Sequence, residues 1–196
     1  MKKKFEHINK DKSLHQSDIL ILTETWLEEN QTLRDEYDIS GYISNLNIVG
    51  RGRGITTYFK TPYKHKENAN SEGYSITKIE SEKMDVIGIY RSQEGNVTSL
   101  ITKLESLITE GKTTVVGGDF NICALAYPNN YITKSLEERG FKQIVEKSTH
   151  IEGGIIDHVY LIQGDDSKFK YIIEEFPKYY SDHDGLGLIL WEEEES

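Results

Sequence analysis

The chemistry-bearing residues of this chain gather around residues 113–123, Thr-Thr-Val-Val-Gly-Gly-Asp-Phe-Asn-Ile-Cys. Asp119 and Asn121 stand two apart, on either side of Phe120. In an extended segment residues i and i+2 share a face, so the carboxylate and the amide look the same way. An acceptor-only group beside one that both donates and accepts can hold and orient a water molecule. Thr113 to Val116 is a β-branched run that reads as a buried strand, and Gly117 and Gly118 free the backbone where it must end. The carboxyl end of such a strand is where α/β proteins tend to place their chemistry. An Asp that caps a turn and an Asn in left-handed backbone would look the same in sequence, and this stretch leaves both readings open.

Other polar residues recur at strand ends. Asp18 to Thr23 is a continuous apolar run that ends at Glu24, a carboxylate costly to bury unless paired or metal-bound. A surface Glu opening a loop is the plainer alternative. Tyr90-Arg91 closes the run from Met84; Asp157 sits inside Ile155 to Ile162; Ser181-Asp182-His183-Asp184 precedes Leu186 to Trp191. Arg51-Gly52-Arg53-Gly54 leads into Ile55 to Phe59, and two arginines beside glycines could grip phosphate as readily as form a solvated turn. His183 alone would be an ordinary surface histidine, and Tyr90 one of 12 tyrosines. A zinc site from His150, His158 and His183 lacks any recognised ligand spacing, so His150 and His158 read as structural.

These residues need a frame. Residues 4–15 form a weak amphipathic helix through Phe5, Ile8 and Leu14. Residues 62–72 read as an exposed loop, and Gly73 to Ile79 pairs with Met84 to Tyr90 as a hairpin. Asn96 caps a helix whose Leu100, Ile101, Leu104 and Leu107 fall on one face, with Gly111 as its stop. Lys134 to Arg139 is a shorter helix, and Phe169 to Ile173 another strand. Strands that alternate partly with helices and partly with hairpins predict two packed mixed β-sheets with helices outside, an α/β sandwich.

At 196 residues, 36% hydrophobic and 29% charged, the chain fits one domain, residues 1–191, with an acidic tail at 192–196. No run of 18 apolar residues predicts a membrane span, and the Lys-rich start lacks the apolar stretch of a signal peptide. The single cysteine, Cys123, excludes an internal disulfide and fits a reducing, intracellular compartment. A net charge of −10 argues against nucleic acid, but residues 1–66 hold 11 Lys and Arg against 9 Asp and Glu, and the deficit lies in the remainder. Clustered carboxylates also suit a hard divalent cation. Charge therefore leaves the partner open.

Taken in order, Ile-Leu-Thr-Glu-Thr-Trp to residue 26, Ile89-Tyr-Arg91, Gly118-Asp-Phe-Asn121, Ile156-Asp-His158 and Ser181-Asp-His183 resemble the endonuclease/exonuclease/phosphatase family. The likeness runs from about residue 4 to residue 191 and leans toward endonuclease domains of mobile elements, of the non-LTR retrotransposon and helicase-bearing transposon types. It implies a four-layer αββα sandwich and Mg²⁺-dependent phosphodiester hydrolysis, with Mn²⁺ as a substitute. DNA would be nicked to leave 5′-phosphate and 3′-hydroxyl ends. By the matched motifs, Glu24 and Asp182 are expected at the metal, Asp119 and Asn121 at the attacking water, and Asp157 behind the catalytic His183. Tyr90 is expected at the scissile phosphate, and Arg91, Arg51 and Arg53 at the substrate. The alternatives are an RNA- or small-phosphoester-directed member of the superfamily and a fold kept only for binding. A DNA-directed enzyme is expected in the nucleus.

One departure carries expectations of its own. The family begins with a strand ending in asparagine ahead of the first helix, whereas this sequence opens at Met1-Lys2-Lys3-Lys4-Phe5, inside that helix. A sheet without that strand is expected to be marginally stable, weakly active and prone to edge association, and monomeric only where the edge is covered.

Overall fold

The computed structural model describes residues 2–27, 37–50, 53–165 and 168–192. Its strands, numbered in chain order, are β1 (Ile19–Thr23), β2 (Ile43–Asn47), β3 (Ile55–Phe59), β4 (Lys64–Ser71), β5 (Tyr74–Glu80) and β6 (Met84–Arg91). Then come β7 (Thr113–Asp119), β8 (Lys142–Gln143), β9 (Asp157–Ile162), β10 (Phe169–Phe176) and β11 (Gly185–Glu192). The helices are α1 (Lys2–Lys10), α2 (Val97–Leu107) and α3 (Tyr131–Glu137).

A six-stranded sheet, ordered β4-β5-β6-β7-β9-β8, is the backbone of the domain. Only β6 and β7 run parallel, and α2 makes the crossover between them. Asn96 caps α2 by accepting a hydrogen bond from the Ser99 amide at 2.9 Å. That helix lays Leu100, Ile101, Leu104 and Leu107 on Ile76, Ile87, Ile89 and Val116 of the sheet. With α3, capped by Asn130, it covers one face.

The opposite face carries a second layer in two pieces. A three-stranded antiparallel sheet, β1-β3-β2, packs toward β5 and β6, and the β10-β11 hairpin lies over β7 and β9. Leu186, Leu188 and Leu190 of β11 meet the cluster of Val115, Val159 and Leu161. Outside the three-stranded piece, α1 sets Phe5 and Ile8 on Leu20 and Tyr58. The order is helices, sheet, split sheet, helix: the four-layer α/β sandwich of two β-layers with outer helices. Among the described residues no strand joins β1 to β11, and each is an edge there.

Two expectations shift, and a third falls outside the described residues. The first helix ends at Lys10, not residue 15, because the Asp11 carboxylate accepts from the Ser13 amide and offers the backbone a turn instead. Residues 62–72 contain an edge strand, β4, rather than a loop. Its polar composition is that of a strand whose Asn68 and Asn70 amides pair with Asn45 and Asn47 of the second layer. The acidic tail lies outside the described residues beyond Glu192, which pairs with Lys83 at 2.6 Å.

Candidate active site

Sheet register assembles the site. Tyr90 on β6 stands opposite Asp119 on β7, and Asp119 stands opposite Asp157 on β9. Three of the expected site residues thus occupy one row, at the end of the large sheet where the two layers meet. Beneath that row Gly88 faces Gly117. Gly88 lets β1 come close, since a Cβ there would lie 2.9 Å from Cγ2 of Ile21. With β1 seated this low, its end delivers Glu24, whose Oε1 accepts a hydrogen bond from the Tyr90 hydroxyl at 3.0 Å. Burial and the Glu24 charge push the Tyr90 phenol upward, so it remains a donor at neutral pH.

Backbone strain is concentrated here. Among the described residues the non-glycine positions with positive φ are Glu24 (51°), Trp26 (51°) and Asn121 (50°). Side chains rarely adopt this region, and where they do the surroundings enforce it. For Asn121 the enforcement is visible. Its amide N–H donates to Asp119 Oδ1 at 2.9 Å, and its Nδ2 donates to Asp119 Oδ2 at 3.0 Å and to the Arg91 carbonyl at 2.7 Å. Gly118 just before has φ +142° and no room for a Cβ against the Ile89 carbonyl.

Asp119 is buried, and its carboxyl is raised to about 7. Burial is the main cause, followed by the charge of Asp157; Glu24 adds to it, while the Asn121 N–H and the charge of His183 oppose it. A carboxylate poised near neutrality is suited to take a proton from water. His183 answers it from the other side. Its Nδ1 lies 2.8 Å from Asp157 Oδ2, and that hydrogen bond lifts the imidazole to about 9 against the cost of burial. An imidazolium at neutral pH is the result, held by a carboxylate that fixes its ring.

His183 reaches this position through residues 149–154. His150 and His183 form a β-bridge, the Ile151 amide donates to the Asp182 carbonyl at 2.9 Å, and the Asp184 amide donates to the Thr149 carbonyl at 2.8 Å. The Thr149 hydroxyl in turn accepts from the amides of Ile156 and Asp157 at 3.2 and 3.1 Å. This fully buried threonine stitches the start of β9 to the segment before β11.

The remaining expected residues divide. Asp182 is largely exposed, with Oδ2 3.8 Å from His150 Nε2, and its charge helps raise His183. Arg53 is close enough for its charge to act on the Tyr90 phenol. Arg91, expected at the substrate, is buried. Its Nε, Nη1 and Nη2 donate to the carbonyls of Gly95, Phe120 and Gln93 at 2.9, 3.0 and 2.9 Å, so it braces the loop that holds Asn121. Arg51 lies outside the described residues.

Sequence reasoning left His158 as merely structural, yet it sits directly behind the site. Its ring stacks on Phe120 at 4.9 Å, Nε2 lies 2.8 Å from the Ile122 carbonyl, and Nδ1 lies 2.9 Å from the Tyr160 hydroxyl. Burial lowers its pKa, so the ring stays neutral and supplies one donor and one acceptor. The signal available in sequence was its place next to Asp157, which in a strand points it to the opposite face.

Asp119, Asp157 and His183 offer ligand atoms that all lie within 4.8 Å of one another, a group able to hold a metal ion. Glu24 and Asp182, the expected metal residues, are not in it. Within this group the His183 Nδ1 is already engaged by Asp157 Oδ2 at 2.8 Å, and the oxygen donors come from the carboxylates. These donors fit a hard cation. The carboxylates of Asp119 and Asp157, with Glu24 hydrogen-bonded to Tyr90 beside them, offer the oxygen ligands that a divalent ion such as Mg²⁺ prefers.

No family model and no curated protein matches the sequence. Solved structures do. An AP endonuclease from Archaeoglobus fulgidus aligns with a TM-score of 0.66 at 17% identity, over 94% of this chain and 93% of that one. The endonuclease domain of TRAS1, a telomere-specific non-LTR retrotransposon, aligns with a TM-score of 0.64 at 12% identity, over 95% and 90%. An endonuclease/exonuclease/phosphatase family protein from Bacteroides thetaiotaomicron aligns with a TM-score of 0.58 at 12% identity, over 96% and 86%. The chain has the endonuclease/exonuclease/phosphatase fold. At these identities the likeness is one of architecture, and it does not single out mobile-element enzymes.

Proposed function

We propose that the chain is a divalent-metal-dependent phosphodiesterase that cuts DNA, of the nicking type found in mobile elements. The observation that carries this reading is the pairing of Asp119–Asn121 with Asp157–His183 across the meeting of the two layers, with Glu24 and Tyr90 closing the third side. Asp119 accepts a proton from the attacking water, which Asn121 orients through its amide oxygen. The His183 imidazolium, fixed by Asp157, donates to a non-bridging phosphate oxygen and offsets the charge that develops there. Tyr90 offers its phenol to the same phosphate, and Arg53 adds positive field from the rim. Glu24 is the residue that would hold Mg²⁺ or Mn²⁺, with Asp182 contributing its charge from the His183 side. Such an ion supplies Lewis-acid polarisation of the phosphoryl oxygens. A DNA substrate places the protein with nuclear DNA. Among the described residues no helix is long and apolar enough to cross a membrane.

The test is a panel of plasmid DNA, abasic duplex, RNA and a small phosphodiester, each with Mg²⁺ and with chelator. Mg²⁺-dependent DNA cleavage, abolished by Asp119→Ala, is the expected result. Hydrolysis of the small ester with no nucleic acid cut would refute the DNA assignment.

A further inference from the structure

A depression of about 530 Å³ opens beside the catalytic centre, lined by residues 121–123 and 127–130. Asn121 belongs to both, so a single nucleotide can span them. None of the lining side chains is a carboxylate, lysine or arginine. The depression therefore fits a neutral planar group with polar edges better than it fits phosphate.

Its wall is built around one ring. Tyr127 is 66% exposed, although its backbone is pinned on both sides. Its amide donates to the Cys123 carbonyl at 2.9 Å, and its own carbonyl accepts from the Asn130 amide at 3.1 Å and from Asn130 Nδ2 at 2.9 Å. An exposed aromatic ring on a fixed backbone loses little entropy when a flat partner covers it. Trp26 is also exposed, at 56%, two residues beyond Glu24 on strained backbone.

The charges near the site point the same way. Among the described residues the cations whose charge acts on Tyr90 or Asp119 are Arg53, His183 and the buried Arg91, and the chain carries a net charge of −10. A protein that binds duplex DNA draws its affinity from many Lys and Arg contacts to phosphate. One that binds a single strand can draw it from bases stacked on aromatic rings.

We propose that the depression receives the base of the nucleotide next to the scissile phosphate, stacked on Tyr127, so that the substrate is single-stranded or locally unpaired DNA. This rests on the phosphodiesterase reading above. A base inside a duplex must first be unstacked and unpaired, at a cost of a few kcal/mol that an unpaired strand does not bear, and a small ester has no base to offer.

The experiment uses the full chain with Mg²⁺ on a short single-stranded oligodeoxynucleotide, on the same strand with tetrahydrofuran abasic residues around the cut, and on the matching duplex. Tyr127→Ala should raise KM for the natural strand about tenfold at little change in kcat. It should leave the abasic strand unaffected, while Tyr127→Trp should retain tight binding. The wild type should cut the single strand faster than the duplex. An equal effect of Tyr127→Ala on natural and abasic strands, or equal cleavage of duplex and single strand, would overturn the proposal. Fluorescence anisotropy of the same two strands in chelator separates the two readings. If nothing is cut but the natural strand binds more tightly in a Tyr127-dependent way, the base site stands and the catalytic reading falls. If the strand is cut and binding ignores both Tyr127 and the bases, catalysis stands and the base site falls.

Discussion

The two sides of the candidate site are held by different means. On one side Tyr90, Asp119 and Asp157 sit on three adjacent strands and are aligned by a continuous ladder of backbone hydrogen bonds. On the other, Glu24 and His183 project from the ends of two separate pieces of sheet, placed by packing and by loop contacts. A ladder fixes position through many small bonds at once, whereas a packed edge depends on how closely two surfaces approach. Tyr90, Asp119 and Asp157 are therefore anchored by register. Glu24 and His183 are anchored by fit.

Breaking the register side at its centre should have the largest effect. Asp119→Ala is expected to lower kcat/KM about a thousandfold or more, read in the nicking assay, with the fold retained by circular dichroism. Asp119 is raised to about 7 in the fold, so its charged form opposes folding more as pH climbs from about 4 to 7. The same variant in chelator should consequently melt no lower than wild type at pH 8.

A matched pair of glycines sharpens the contrast between ladder and fit. Gly88→Ala puts a Cβ 2.9 Å from Ile21 Cγ2 and 3.0 Å from Thr77 Cγ2, so a neighbour must shift, and the expected one is β1, with Glu24 at its end. A cost of about 1–3 kcal/mol in a denaturant titration is expected, with a rise in the Mg²⁺ concentration giving half-maximal activity. Its neighbour Gly117 meets nothing closer than 3.5 Å, so Gly117→Ala should cost less than about 1 kcal/mol and leave the Mg²⁺ response unchanged. Equal responses would show that β1 is not held by this contact.

The histidine can be followed by pH. His183 is raised from 6.5 to about 9, so its stabilising contribution is complete below pH 6.5 and disappears as pH rises through about 9. In chelator, proton NMR should place its midpoint near 9, and Asp157→Asn should move that midpoint downward. The melting-temperature gap between wild type and Asp157→Asn should close between pH 8 and pH 10, a window above the Asp119 titration. The smallest effect belongs to the exposed ion pair that ties β11 to the β5-β6 turn. Lys83→Ala, which removes the 2.6 Å contact with Glu192, should cost no more than about 1 kcal/mol by thermal melting.

The row of Tyr90, Asp119 and Asp157 was legible because strand ends are marked by local pattern: apolar runs that stop at a polar residue. What sequence could not supply was lateral alignment. Nothing in Arg91 itself says that three of its donors turn inward to carbonyls, and nothing in His158 says that it reaches the Ile122 carbonyl 36 residues earlier. Both are decided by which strands become neighbours. The β4 edge strand was missed for a related reason, since its asparagines look like loop residues until Asn45 and Asn47 appear opposite them. The preferred mobile-element likeness drew on short motifs, and the fold is common to enzymes of several kinds.

The β10-β11 hairpin has a consequence of its own. Among the described residues these strands pair only with each other, and the segment entering β11 carries His183. Seating the hairpin on Val115, Val159 and Leu161 is thus separable from strand pairing, and on the proposed function only the seated fraction would present the His183 ring to substrate. Apparent affinity for a phosphodiester equals the intrinsic affinity discounted by that fraction. Substrate that grips His183 draws the population toward the seated form, and amide exchange along Leu186 to Leu190 should slow in step with occupancy.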